Sequence, residues 1–448
     1  MKSFYKKSLL IALGLIGFTG TVEAAEFGSP SLLPVPSVSK PYSVSPVGYR
    51  NINDASTPSP SDQVPVPVAE SPAIISGDYQ DALNGTPSCE GSYIGDAGAG
   101  CCEPVCTKWF GGVNALIMTR NHHSGLITAY DSTTGNTIMG SCSTNMTYTG
   151  GIDTTVGRMF GCCGNTGIMV NYWGLYPQNY TAQAWGGDFA NGVSTPISFN
   201  GLQYNDGTGN QAYSNFYNNA TLQRIEQQLT INSVEVNLIG NSLYGSNVWG
   251  GNNACCGTGG CNGSRLGMGW GAGIRYFQFN DSFKMYSDPT DVVFNGAANE
   301  VCYHTTTKNN LLGFQLAGGL NYCVTNRLSI YGMSRAGIYG NNVSQSQYAA
   351  GTLGDATVAG GPFAGHAYRV SGGTMDLAFI GQLDLGTRWQ VSNRWSINAG
   401  YRIVGLSGLA LATQQVPQDF SNIGIASHVN NNGSTILNGA YIGATLNF

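Results

Sequence analysis

The chain ends in a strict alternation. Ala440, Ile442, Ala444, Leu446 and Phe448 are apolar, and Gly439, Tyr441, Gly443, Thr445 and Asn447 lie between them. A β-strand sends successive side chains to opposite faces, so this segment has one apolar face and one face of small or polar groups. Two settings suit such a strand. It can close the core of a soluble β-sandwich, or it can turn its apolar face to lipid as part of a closed barrel.

The N-terminus bears on the compartment. Lys2, Lys6 and Lys7 form a basic region, Leu9 to Phe18 is a short uncharged apolar core, and Val22-Glu23-Ala24 suits cleavage before Ala25. This is the pattern of a secretory signal peptide over residues 1–24, too short in its apolar run for a spanning helix. No other run approaches the roughly 20 apolar residues a transmembrane helix needs. If the mature chain meets a membrane, it does so with strands, because only helices and closed barrels satisfy backbone groups in lipid.

Composition agrees. Charged residues make up 10% of the chain, yet the hydrophobic fraction is an ordinary 42%. With few charges and no long apolar runs, the apolar residues must be dispersed by alternation, as in outer-membrane barrels. A Gly/Asn-rich secreted β-protein has a similar profile. Residues 1–24 carry three lysines and one glutamate, so their removal moves the formal charge from −5 to −7. An acidic chain without basic clusters has no electrostatic basis for binding nucleic acid.

Twelve of the 17 prolines fall between residues 30 and 104, interleaved with Ser and Val. Residues 25–107 are therefore expected to be an extended or disordered Pro/Ser-rich periplasmic segment. It ends in the cluster Cys89, Cys101, Cys102 and Cys106. The other prolines, Pro177, Pro196, Pro289, Pro362 and Pro417, lie in polar segments and are expected between strands.

From residue 108 onward the alternation predicts ten strands, at about 108–119, 147–160, 166–176, 221–238, 264–283, 310–324, 327–343, 373–391, 394–409 and 433–448. The fourth breaks phase near Asn232-Ser233, which reads as a bulge. Short connections alternate with long ones, the outer-membrane pattern of tight periplasmic turns and long outer loops. The connection 239–263 departs from this by being long on the short-turn side. Trp109, Trp173, Tyr176, Tyr286, Tyr322, Trp389 and Trp395 near strand ends suggest an interfacial girdle. The expected fold is all-β: an antiparallel transmembrane β-barrel of about ten strands (8–12), spanning 108–448, behind a Pro-rich disordered segment.

Several motifs resemble one family. Lys108-Trp109-Phe110-Gly111-Gly112-Val113-Asn114-Ala115-Leu116 follows a Cys/Pro cluster. Gly157-Arg158-Met159-Phe160 precedes Val170-Asn171-Tyr172-Trp173-Gly174. Asn232 to Leu238 is followed by Gly273-Ile274-Arg275-Tyr276-Phe277. Their order resembles the planctomycete outer-membrane proteins of beta-barrel porin family seven, over roughly Cys101 to Phe448. The resemblance implies an outer-membrane, porin-like barrel. The many cysteines and the long 239–263 connection depart from it. The terminal Phe448, with Leu446 and Ile442, also resembles the C-terminal signal by which the barrel assembly machinery recognises its clients.

The predicted lumen face carries Arg158, Glu226, Glu235, Arg275, Arg335, Asp376, Asp384, Arg388 and Arg402. A barrel this small is mostly filled by side chains, and buried charges need partners. The expectation is pairing across the lumen; an ion or solute path lined by these groups is the alternative. All five histidines, His122, His123, His304, His366 and His428, fall in predicted outer loops. With Asp131 they would be the material for a rim metal or hydrolase site. No His-Glu-x-x-His, Gly-x-Ser-x-Gly or P-loop is present, and they read as solvated loop residues. No catalytic residue, metal or cofactor is assigned.

Twelve cysteines in an oxidising compartment favour disulfides. Adjacent cysteines rarely bond each other. Cys162, Cys163, Cys255, Cys256, Cys261 and Cys323 fall on the periplasmic side of the predicted topology. Bonds from some of these to Cys89, Cys101, Cys102 or Cys106 would pin the tail against the barrel mouth; metal binding is the rival reading.

The sequence thus predicts an outer-membrane barrel, porin-like or structural, with long outer loops. Its expected partners are outer-membrane lipid, the assembly machinery, and small solutes or extracellular partners reached through the loops. A secreted all-β surface or adhesion protein and a barrel-embedded hydrolase are the alternatives.

Overall fold

The computed structural model describes residues 109–121, 125–144, 148–160, 166–241, 249, 265–392 and 394–448. The expected signal peptide and Pro/Ser-rich segment, His122, His123 and every candidate cysteine except Cys323 lie outside these residues. Ten long strands form one closed antiparallel sheet. They are β1 (Trp109–Arg120), β2 (Thr149–Phe160), β3 (Thr166–Trp185), β4 (Leu222–Asn241), β5 (Leu266–Asp288), β6 (Val301–Cys323), β7 (Leu328–Gly351), β8 (Arg369–Gln390), β9 (Trp395–Leu409) and β10 (Gly433–Asn447). Each pairs with its neighbour in sequence, and β10 returns to β1. Trp109 and Phe448 complete the seam by exchanging two backbone hydrogen bonds of 2.9 Å. Closure leaves no unpaired sheet edge, which lipid requires. No described helix is long and apolar enough to cross a membrane.

The strand count and order agree with the alternation, but the strands are longer on their outer side. β5 has 23 residues and β7 has 24, about twice the 9–11 that cross a bilayer. β6 begins at Val301 and not near 310. The reason is visible along β4. In its lower part Val234, Val236 and Leu238 point outward while Ser233, Glu235 and Asn237 are buried inside. Above Asn232 the polarity inverts: Ile225, Leu229 and Ile231 are buried inside, and Arg224, Glu226 and Gln228 face out. The register with β5 runs unbroken through this point. The phase break at Asn232-Ser233 is therefore not a bulge. It marks where the wall leaves lipid and enters water.

The one irregularity in this region lies on the neighbouring strand. The pairing of β3 with β4 shifts between Leu175 and Gln178, around Pro177. Pro177 is thus inside a strand, not between strands. It has no N–H to give to the ladder, and the bulge removes the demand for one.

The lower outer surface is an apolar belt that includes Leu312, Phe314, Ile338, Leu377 and Ile442, with Phe314 77% exposed. On β5 it runs from Leu266 to Tyr276, about ten residue steps; at about 3.3 Å per step and a tilt of about 40° this rises about 25 Å, the height of a barrel's lipid band. Phenols mark its upper edge. Tyr172, Tyr276 and Tyr401 donate to Asn232, Asn310 and Asn438 on adjacent strands at 3.0, 2.8 and 2.6 Å. Trp109, Tyr322, Trp389 and Trp395 are exposed at the lower edge. Of the expected girdle, Tyr176 also faces out, but Trp173 is fully buried in the lumen. Tyr286 stands well above the belt, beside Arg224 and Phe294.

Candidate functional site: the filled lumen and its cap

Six charges cross the lumen in one connected chain. The Arg275 Nε lies 3.4 Å from a Glu235 oxygen, and the Arg335 Nε lies 3.6 Å from the other. Arg335 reaches Asp384 at 2.8 Å. Arg402 bridges Asp384 at 2.5 Å and Asp153 at 2.7 Å. Three cations balance three anions across β5, β4, β7, β8, β9 and β2. All six are buried.

Neutral groups add to the shell. Glu235 accepts from Gln315 at 2.7 Å and Asp384 from Gln382 at 2.8 Å. Asn171 donates to Asp153 at 2.8 Å, and Arg275 donates to Ser233 at 2.9 Å. The Trp173 ring has the Arg275 and Arg402 guanidiniums at 5.7 and 5.6 Å from its centroid, within cation–π range. Desolvated charges persist only when paired and hydrogen-bonded. Each of the six has an ion-pair partner and at least one hydrogen bond, while Glu235 Oε1, Arg275 Nη2, Arg335 Nε and Arg402 Nη1 have no hydrogen-bond partner among the described residues.

Layers lie above and below. Toward the short-turn mouth, Phe110, Met159, Met169 and Ile239 pack with Trp249. Trp249 comes from the long connection after β4 and donates its indole N–H to the Gly240 carbonyl at 3.1 Å. Above the charges lies an apolar layer that includes Leu229, Ile231, Phe277, Phe279, Ile380 and Leu406. Higher still, Arg120 and Asp281 pair across the lumen at 3.0 Å.

The outer mouth is capped by the long connections. Residues 186–221 supply Phe199, Tyr213 and Tyr217, which pack with Tyr303 of β6 and with Phe420. Phe199 stacks on Tyr217 with centroids 4.6 Å apart. Tyr213 donates to the carbonyls of Cys302 and Ala350 at 2.9 and 3.0 Å, and Tyr217 to that of Met285 at 3.0 Å. These bonds tie the cap to the wall. Burial pushes both phenols well above their usual range, so they serve as neutral donors.

Of the nine predicted lumen charges, Glu235, Arg275, Arg335, Asp384 and Arg402 form the network, and Arg388 lines the lower lumen beside Asn398 at 3.2 Å. Three do not belong to it. Arg158 is exposed on the outward face of the lower, short-turn rim, its guanidinium 5.2 Å from the Trp109 ring. Glu226 faces out above the belt and pairs with Arg224 at 3.2 Å. Asp376 is exposed and accepts from Asn431 at 2.6 Å. Asp153, Arg120 and Asp281 were not expected. Asp153 shares parity with the inward-facing Gly151 and Met159, a signal the alternation does contain.

The described histidines do not assemble. His366 and His428 are exposed at separate places in the cap. His304 lies within β6, not in a loop; its Nε2 is 2.9 Å from both Ser282 and Thr306 hydroxyls. Asp131 accepts from Thr133 and Thr134 in its own turn. Among the described residues no group of three or more His, Cys, Asp or Glu is placed to hold a metal. Cys323 is disulfide-bonded; its partner lies outside the described residues.

No protein-family model and no curated protein matches the chain. Similar solved structures include the outer membrane protease OmpT from Escherichia coli, at 10% identity, covering 76% of this chain and 94% of that one with a TM-score of 0.33. A major outer membrane protein from Thermus thermophilus matches at 10% identity, 76% and 99% coverage and a TM-score of 0.28. The toluene transporter TodX of Pseudomonas putida matches at 10% identity, 76% and 90% coverage and a TM-score of 0.30.

Proposed function

We propose that this chain is a structural β-barrel of the bacterial outer membrane, and that its filled lumen anchors a folded extracellular cap. The observation that carries this reading is the chain of ion pairs from Arg275 to Asp153. A solute path along the axis would have to break several buried pairs, each costing about 3–5 kcal/mol when one partner is lost. The apolar belt favours lipid over a secreted, soluble life, since soluble monomers rarely expose patches beyond a few hundred Å².

The porin-like function implied by the family-seven resemblance is the competing reading. Planar-bilayer recording of the full chain, and of a form lacking residues 26–107, decides between them. The structural reading expects heat-modifiable, vesicle-inserted protein that is silent in both forms. Stable conductance steps in either form would return the protein to the porins, and steps that grow on truncation would make the tail a plug. The tail-pinning disulfides belong to this proposal too, with Cys323 as the described member.

A further inference from the structure

Above the belt, β4, β5, β6 and β7 present an outward wall four residue rows high. Its lowest row pairs Gln278 with Asn310, next to the belt residues Tyr276 and Leu312. The next pairs Asn280 with Lys308, then Ser282 with Thr306, then Lys284 with His304. The flanking positions on β4 and β7 are amides and hydroxyls, such as Gln228, Thr230, Ser344 and Ser346. One carboxylate is present, Glu226, directly opposite Lys284 in the register of β4 with β5, and it pairs with Arg224 at 3.2 Å.

The placement of lysine is the telling feature. Lys2, Lys6, Lys7, Lys40 and Lys108 all precede the barrel; after it begins the sequence holds only Lys284 and Lys308. Both face outward on adjacent strands of this wall, and neither has an acid within ion-pair distance among the described residues. In an acidic chain, Lys284 and Lys308 on a surface of hydroxyls and amides, with the single facing acid Glu226 already held by Arg224, suit a partner bearing phosphates and hydroxyls.

The position selects the partner. Each row adds about 5 Å of height, from two residues at about 3.3 Å and a tilt of about 40°. The lysines therefore stand about 10 and 20 Å above the belt. A phospholipid headgroup layer is only about 5–8 Å deep. A lipid that reaches both rows needs an extended sugar-phosphate headgroup.

We infer that this wall, with Lys284 and Lys308, binds the phosphorylated headgroup of an outer-leaflet glycolipid whose acyl chains lie against the belt below. The inference rests on the outer-membrane reading. It adds an ordered lipid on one side of the barrel, continuous with the lipid interface.

The test uses the full chain refolded in detergent, with fluorescent deep-rough lipopolysaccharide as the probe. K284Q/K308Q is expected to weaken binding about 10- to 30-fold, the size for two lysines at an anionic surface. The dephosphorylated probe should lose as much. R327Q/R394Q, which removes two exposed cations from the opposite, short-turn rim, should leave binding unchanged. Millimolar inorganic phosphate should not compete, since a free-phosphate site would be displaced by it; competition would overturn the lipid assignment. Equal binding by wild type and K284Q/K308Q would overturn the site. Folding of each variant is checked separately by heat-modifiable mobility in phosphatidylcholine vesicles. Failure of the wild type to insert there would sink the outer-membrane reading itself.

Discussion

Arg402 on β9 holds Asp153 on β2 at 2.7 Å, although 249 positions separate them in sequence. Strands β10 and β1 intervene on the wall, so the contact is made through the lumen. The same guanidinium also binds Asp384 on the neighbouring strand. One side chain therefore couples two sides of the barrel.

Replacing Asp153 by Asn should be costly. Arg402 keeps Asp384 but loses half of its compensation in a buried site. The expected loss is about 3 kcal/mol, at the lower end for breaking a buried pair. Urea titration of the protein in lipid vesicles measures it, and a loss below about 1 kcal/mol would mean the lumen is wet at that level.

The polarity inversion on β4 makes a paired prediction. Val236→Lys places a charge in the belt and should cost about 2–4 kcal/mol of folding into bilayers. Gln228→Lys, on the same outward row but above Asn232, should change stability by no more than about 0.5 kcal/mol. Equal effects at both positions would show that the belt does not end at Asn232.

His304 should make stability depend on pH. Its partial burial on the wall, with Lys284 beside it, lowers its pKa to about 4. In the unfolded chain the value is near the ordinary ~6.5. Between these values the unfolded state binds the proton first, so stability is complete above about pH 6.5 and declines as pH falls toward 4. Because the ring is partly exposed, the loss should be only about 1–2 kcal/mol. Melting of wild type and His304→Gln from pH 7.5 to 4.5 should show the difference converging as acid is added. Parallel curves would exclude the histidine as the cause.

Phe448 separates assembly from stability. Its ring is 56% exposed, so Phe448→Ala should leave the melting temperature of the folded barrel nearly unchanged. If the ring is the signal read by the assembly machinery, the amount reaching the outer membrane should fall several-fold. A drop in melting temperature with unchanged yield would reverse that role.

Non-reducing peptide mapping should find Cys323 bonded to a cysteine of the 89–106 cluster if the tail is pinned. A bond to Cys162, Cys163, Cys255, Cys256 or Cys261 would leave the tail untethered by this residue.

The sequence by itself determined a closed antiparallel wall of about ten strands (8–12) and the order in which they follow one another. Period-two alternation is local, and residues such as Met375 and Leu377 or Gln382 and Asp384 declare their faces without reference to anything distant. Parity also placed five of the six network charges inside. The outer ends of the strands were not legible, because above Asn232 the solvent on each side of the wall exchanges character. An apolar residue that means outward at Val234 means inward at Ile225. Only the tertiary structure decided which charges meet. Arg158 stacks on Trp109 at the rim, Asp376 turns to Asn431, and Asp153 finds Arg402 only once closure and strand tilt bring opposite walls together. Pairing across a lumen depends on the curvature and stagger of the whole sheet, and no local pattern encodes these.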